Sequence, residues 1–91
     1  MITPEGRVKK QIRDWLRERG AYFFSPVQQG YGPSTLDILV CWKGEFVAIE
    51  VKAENKNLTG RQEAIAKQIE SSHGRVIVAY SLQDVINGIF S

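Results

Sequence analysis

The chain has 91 residues, of which 43% are hydrophobic and 24% charged, with a formal net charge of +2 at pH 7. These values predict one compact domain over residues 1–91 and exclude a disordered or low-complexity chain. No apolar stretch approaches the roughly 20 residues that cross a bilayer, and the N-terminus has no secretory pattern. The single cysteine, Cys41, excludes an internal disulfide, so we expect a reducing, cytoplasmic setting without membrane contact.

Basic side chains are concentrated near the N-terminus. Six of the twelve Lys and Arg residues occur among the first twenty positions. Such a segment permits contact with nucleic-acid phosphates, although a solvated basic helix face explains it equally well. The six residues are Arg7, Lys9, Lys10, Arg13, Arg17 and Arg19.

The first helix is predicted to begin after the N-cap residue Thr3, with Pro4 as its first residue, and to stop at Gly20. An aromatic strand is then expected over residues 21–24, followed by an irregular, substrate-facing loop over residues 25–35. The apolar stripe of the helix consists of Val8, Ile12, Trp15 and Leu16.

Further elements follow in the second part of the chain. Strands are predicted over residues 36–42 and 46–53, a helix over residues 60–72 ended by Gly74, and a strand over residues 75–80. The near-continuous apolar run of this last strand indicates burial on both faces, inside a sheet. The capping signals are Thr59 with Gln62 for the helix, and Ser81 with Asp84 for a last helix.

The order helix, three strands, helix, strand, helix predicts an α/β sandwich. The helix between the third and fourth strands is a crossover, so those two strands should be parallel neighbours. A tight hairpin between the second and third strands makes them antiparallel. We therefore expect a mixed four-stranded sheet.

The hairpin gives the clearest functional signal. If Lys43 and Gly44 are its two turn residues, counting outward along both strands puts Asp37 opposite Glu50. Strand alternation then places Lys52 on the same face as both carboxylates. Directly opposed residues have Cβ atoms about 4.5 to 5.5 Å apart, and like charges at that distance are destabilising. A cation should therefore lie between the two carboxylates.

A hard divalent cation such as Mg²⁺ meets this need, because it takes oxygen ligands and often only one or two protein carboxylates. A metal-activated water could attack a phosphodiester while Lys52 stabilises the developing negative charge. The alternative depends on the register of the hairpin. A slip of one residue would place the side chains that face each other across the two strands on opposite faces of the sheet. Asp37 would then merely begin a strand, and Glu50 would pair with Lys52 at the surface.

Two polar residues fall within apolar stripes. At about 100° per residue, Glu5 lies in the stripe of the first helix, although the helix dipole alone explains an acidic first turn. Gln62 aligns with the apolar positions of the second helix, although its capping role also explains it. Both are candidate site residues. His73 stands alone before Gly74, which favours a surface or capping role over metal ligation.

With Asp37, then Glu50-Val51-Lys52 after a hairpin, and a capped helix carrying Gln62, the sequence resembles the PD-(D/E)XK nuclease superfamily. Within it, nearly the whole chain is similar to a stand-alone VRR-NUC domain of the kind found in phages. One departure is visible, because Leu36 stands where the superfamily name has Pro.

The resemblance implies a restriction-endonuclease-like core and a Mg²⁺ or Mn²⁺ site formed by Asp37, Glu50 and the backbone carbonyl of Val51. It implies Lys52 as the catalytic lysine, with Gln62 and Glu5 near the active site. It further implies a homodimer that cleaves branched or flapped DNA, similar to Holliday-junction resolvases, in the host cytoplasm if the chain is phage-encoded. Candidate DNA contacts are Lys56, Arg61, Lys9, Lys10 and Arg13.

Two other functions remain open at this stage. A DNA-binding or assembly module could keep the nuclease-like scaffold without catalysis. A nuclease subunit could bind metal yet turn over only within a larger complex. The facing carboxylates argue against the first of these, since a purely structural role does not need them.

Overall fold

The computed structural model describes residues 2–27 and 34–91. Within these ranges, the predicted order of elements is confirmed. Of the substrate-facing loop expected over residues 25–35, residues 28–33 lie outside the described part. None of the described helices is long and apolar enough to cross a membrane. The elements are α1 (Pro4–Glu18), β1 (Tyr22–Phe24), β2 (Ile38–Trp42), β3 (Glu45–Val51), α2 (Gly60–Ser71), β4 (Arg75–Ala79) and α3 (Leu82–Ile89).

The four strands are hydrogen-bonded neighbours in the order β1, β2, β3, β4. β1 pairs antiparallel with β2 and β2 antiparallel with β3, whereas β3 and β4 are parallel. This confirms the predicted mixed sheet. The expectation that β4 lies inside the sheet was wrong, because β4 forms one edge. Its apolar sequence is explained by two helices instead, since both α2 and α3 pack against it.

α1 begins where the capping signals predict. Thr3 Oγ1 accepts a hydrogen bond from the backbone N–H of Gly6 (3.0 Å), and Pro4 occupies the first helical position, where its missing N–H leaves no bond unmade. The helix turns one apolar side toward the sheet. Its buried residues are Ile12, Trp15 and Leu16.

The hydrophobic core lies between one face of the sheet and the helices α1 and α3. Trp15 of α1 stacks on Trp42 of β2 with ring centroids 5.6 Å apart, and Phe90 meets both rings edge-on. Because strand residues alternate between faces, the core positions fix which side chains point to the opposite face. The buried strand residues of the core face are Ile38, Val40, Trp42, Val47, Ile49, Val51, Ile77 and Ala79.

The turn between β2 and β3 has the predicted two residues. Lys43 has φ 49° and Gly44 has φ 83°, and positive values at both positions define the primed turn that matches strand twist. Trp42 consequently pairs with Glu45, and the same register continues along both strands. The register on which the functional prediction depended is therefore confirmed.

α2 opens with the predicted capping box. Thr59 Oγ1 accepts from the backbone N–H of Gln62 (3.2 Å), while Gln62 Oε1 accepts from the N–H of Thr59 (3.0 Å). At the other end, His73 and not Gly74 adopts the left-handed conformation, with φ 71°. Gly74 is needed for a different reason: a Cβ there would lie 2.7 Å from Ile69 Cγ2. The glycine thus allows β4 to start close against α2.

Candidate active site

Asp37 and Glu50 meet at the open end of the hairpin. The backbone N–H of Asp37 donates to Glu50 Oε1 (3.2 Å), and the N–H of Val51 donates to Asp37 Oδ2 (2.9 Å). Each carboxylate is therefore held by the backbone of the opposite segment. These bonds to side chains replace the backbone hydrogen bonds between the two strands, which explains why β2 begins at Ile38 and not at residue 36 as expected.

The environment of Glu50 is unfavourable to its charge. The residue is only 3% exposed. Burial raises the pKa of Glu50 to about 7, the negative charge of Asp37 acts in the same direction, and the positive charge of Lys52 opposes both. A buried carboxyl beside a second carboxylate is stabilised by a nearby cation or by a proton.

Two side chains converge on the same oxygen of Glu50. Gln62 Nε2 donates to Glu50 Oε2 (2.9 Å), and Lys52 Nζ lies 3.9 Å from that oxygen. Because Gln62 Oε1 is engaged by the N–H of Thr59, the orientation of the amide is fixed with its donor toward Glu50. The capping role and the site role of Gln62 therefore coexist.

α1 contributes two further residues at this end of the sheet. Lys9 Nζ lies 3.5 Å from Asp37 Oδ1, so this lysine, expected to contact DNA, is placed against a carboxylate. Glu5 is half-buried and lines a surface pocket of about 420 Å³ together with Lys52 and Tyr80. Glu5 thus lies at the border of the site.

The other predicted DNA contacts of α1 differ from one another. Lys10 is exposed, and its Nζ lies 2.8 Å from Asp14 Oδ2 one helical turn away. Arg13 is half-buried. The structure thus pairs the Lys10 charge with a neighbouring carboxylate.

The segment after β3 carries the remaining candidates. Lys56 and Arg61 are both exposed, and Arg61 Nη1 donates to Ser34 Oγ (2.9 Å). Tyr80, which was not among the predicted site residues, donates its O–H to the backbone carbonyl of Lys56 (2.7 Å). The sequence could have indicated this position of Tyr80. Tyr80 directly follows β4, and the carboxyl ends of the parallel strands β3 and β4 lie at the same edge of the sheet.

The donor set is compatible with a hard divalent cation. Asp37 and Glu50 supply carboxylate oxygens within one cluster, and Glu50 is buried beside a like charge. Within residues 2–27 and 34–91, no group of three or more His, Cys, Asp or Glu side chains is assembled to hold a metal. Two carboxylates suit Mg²⁺ or Mn²⁺, which keep several water or substrate ligands, and do not suit a closed structural zinc cage.

The fold and the position of this cluster define the class of protein, an α/β nuclease-like core. A solved structure described as a VRR_NUC domain matches the chain with a TM-score of 0.81 and 26% sequence identity, over 97% of this chain and 96% of that one. The resemblance to a VRR-NUC domain, predicted from the sequence, is thereby confirmed. Neither the scan against family models nor the search of curated proteins finds a match.

Proposed function

We propose that this chain is a Mg²⁺- or Mn²⁺-dependent endonuclease that hydrolyses phosphodiester bonds of branched DNA, such as Holliday junctions, and acts as a homodimer. The observation that carries the proposal is the opposition of Asp37 and Glu50 across the hairpin, with Lys52 beside them. The similarity to a VRR_NUC domain over nearly the full chain supports a nuclease.

Asp37 and Glu50 would hold the cation through carboxylate oxygens. The Val51 N–H faces Asp37, and the C=O of a strand residue points to the same neighbour as its N–H. The Val51 carbonyl is therefore a suitable third ligand. When bound, the cation supplies a Lewis acid that lowers the pKa of a water molecule and neutralises phosphate charge.

The other residues of the cluster position and stabilise. Gln62 holds the Glu50 carboxylate in one orientation through a fixed amide donor. Lys52 is well placed to stabilise the negative charge that develops as one P–O bond forms and another breaks. Glu5 lines the same pocket as Lys52 and can accept hydrogen bonds from substrate or its waters.

The test is a cleavage assay with Mn²⁺ on single-stranded, duplex, flap and four-way-junction DNA. We expect turnover on branched DNA that disappears in Asp37→Ala and Glu50→Ala. Lys52→Ala should lose on the order of 10² to 10³-fold, as for removal of one preorganised donor. Glu63→Ala and Lys67→Ala are matched controls, because both remove exposed charges from α2 and should leave the rate unchanged.

Circular dichroism of each variant separates loss of chemistry from loss of fold. Cleavage that persists in folded Glu50→Ala and in the presence of a chelator would contradict the proposal. Calorimetric titration with Mn²⁺ provides a second measurement, since binding should be abolished by Asp37→Asn, which keeps the side-chain shape. Metal binding without cleavage of any DNA would instead indicate a subunit that needs a larger complex.

A further inference from the structure

One face of the sheet is left partly uncovered by the described chain. α2 packs on this face against β4, and the half formed by β1 and β2 extends beyond it. Tyr22, Cys41 and Phe46 are paired side by side across β1, β2 and β3 and point to this face, with Phe24 and Leu39 next to them. These five residues form what we name the open face.

The open face is aromatic and carries no charged side chain among its five residues. Tyr22 is 76% exposed, Phe24 56% and Phe46 46%. Since an aromatic side chain contributes about 150 to 250 Å², these three present roughly 350 Å² to solvent. With Leu39 and Cys41 the area falls within the range of the largest patch on a typical monomer, about 300 to 600 Å². It is a large share of the roughly 800 Å² per partner in a stable interface.

A hollow lies at one side of the open face. A pocket of about 320 Å³ beside Phe46 is lined by Ile69 and Gly74 among others. Gly74 lets Phe46 lie close to the end of α2, because a Cβ there would lie 3.1 Å from Phe46 Cδ1. Tyr22 stands at the opposite side, with Cys41 between Tyr22 and Phe46 in the register. The face thus has a projection and a hollow on either side of Cys41.

We propose that two copies of this chain dock through the open face, about a two-fold axis that passes near Cys41. Such an axis places Tyr22 of each copy over the Phe46 hollow of the other. The same contact is then made twice, by the same surface of both copies, as an isologous interface requires. DNA is a poor occupant, because its binding depends on cations that neutralise phosphates. The inference rests on the homodimer in the proposed function and adds its surface.

The face also connects to the candidate active site. Phe46, Ala48 and Glu50 alternate along β3 on the same side of the sheet. Four residues of strand span roughly 13 Å, so the dimer surface and the Glu50 carboxylate lie about that far apart within one copy. Docking through the open face therefore holds two sites at a fixed separation.

The first test measures mass by light scattering after size exclusion, from about 1 to about 100 µM protein, where dimers of modest affinity dissociate. We expect a dimer for the wild type and a monomer for Tyr22→Glu. Gln11→Glu is the matched control, because it adds the same charge on exposed α1, and it should stay dimeric. Ser72→Trp, which fills the hollow, should also weaken the dimer while keeping the native circular dichroism spectrum.

The second test locates the axis. Two sheets that pack face to face lie roughly 10 Å apart, too far for a disulfide, whose Cα atoms are at most about 7 Å apart. A short bismaleimide matched to that separation should link Cys41 of one copy to Cys41 of the other. Because this is the only cysteine of the chain, Cys41→Ser removes the reaction, and Tyr22→Glu should suppress it.

Both tests run without metal or DNA, so their outcome is independent of catalysis. A monomeric wild type throughout the concentration range would overturn the inference. So would a dimer that persists in folded Tyr22→Glu and Ser72→Trp, since another surface would then form it. If instead the dimer behaves as expected and no DNA is cleaved, the proposed activity fails while the interface stands.

Discussion

At the scale of single residues, Glu50 is the most constrained group of the site. One of its oxygens accepts from the backbone of Asp37, and the other accepts from Gln62 with Lys52 nearby. These contacts hold the carboxylate in one orientation. They do not remove the repulsion from Asp37, which contributes to the raised pKa. A cation bound between the two carboxylates would relieve this repulsion, which the metal-free protein keeps at some expense to its stability.

That expense predicts a pH dependence of stability. The pKa of Glu50 is raised from 4.5 to about 7, so the folded state binds the proton more tightly than the unfolded state. The resulting stabilisation is complete below about pH 4.5 and is lost as the pH rises through 7, on the order of 3 kcal/mol at most. Urea unfolding without metal, between about pH 4 and 8, should show this loss in the wild type.

Glu50→Gln is the control, because the amide has nearly the same shape and does not titrate. Its free energy of unfolding should lack this decline, and the difference between the two proteins isolates Glu50 from the other carboxyl groups. Identical pH profiles for both proteins would contradict the prediction.

The sequence was sufficient for the Asp37 and Glu50 pairing, because counting along a hairpin requires only its turn. It also indicated both roles of Gln62, since one amide has a donor and an acceptor. The contact of Lys9 with Asp37 was not predictable, because it depends on the angle at which α1 crosses the sheet. Helical periodicity gives the buried side of a helix but not its position on a neighbour.

At the scale of elements, the turn of the hairpin determines the register that places Asp37 opposite Glu50. Lys43 has φ 49°, a left-handed conformation that disfavours most side chains and that Asn tolerates. We expect Lys43→Asn to raise the free energy of unfolding by about 0.5 kcal/mol in urea titrations, as for substitutions that fit the native backbone. Part of the gain is offset because the Lys43 ammonium lies over the Trp42 ring.

Lys43→Gln distinguishes the two effects. It removes the cation but gains no preference for positive φ, so it should be less stable than the wild type. If Lys43→Asn were as unstable as Lys43→Gln, backbone conformation would not be the governing term at this position.

β4 shows where element-level prediction failed. Its apolar sequence indicated two covered faces, and two helices do pack against it. The inference from covered faces to a central position does not follow, because an edge strand can also be covered on both sides. Sequence patterns report burial of side chains, whereas strand order depends on which backbone edges remain unpaired.

At the scale of the whole molecule, the predicted DNA-contacting side chains differ in whether a carboxylate neutralises them. Lys10 forms an ion pair with Asp14, and this contact lowers the pKa of the Asp14 carboxyl. Lys56 and Arg61 are exposed on the segment that leads from β3 to α2. The sequence alone could not separate these residues, because it shows where charges occur but not which of them form ion pairs with a carboxylate.

The division predicts different salt dependences of DNA binding. For a lysine or arginine that contacts phosphate, removal should lower the slope of log K against log salt by about 0.9. We expect this change for Arg61→Gln and Lys56→Gln, and a smaller one for Lys10→Gln. Fluorescence anisotropy with labelled junction DNA, without divalent cation, measures the slopes. Equal changes for Lys10→Gln and Arg61→Gln would contradict the assignment.

The short distance along the chain between the two carboxylates has a kinetic consequence. Asp37 and Glu50 are separated by 13 positions and brought together by one two-residue turn. A hairpin of this kind closes in about 1 to 10 µs, whereas β4 joins β3 only after a crossover through α2. Because the hairpin is local and α2 is not part of it, we expect the two carboxylates to meet before Gln62 reaches Glu50. We therefore expect the carboxylate pair to slow folding, and a divalent cation that relieves the repulsion should raise the folding rate measured by stopped-flow refolding.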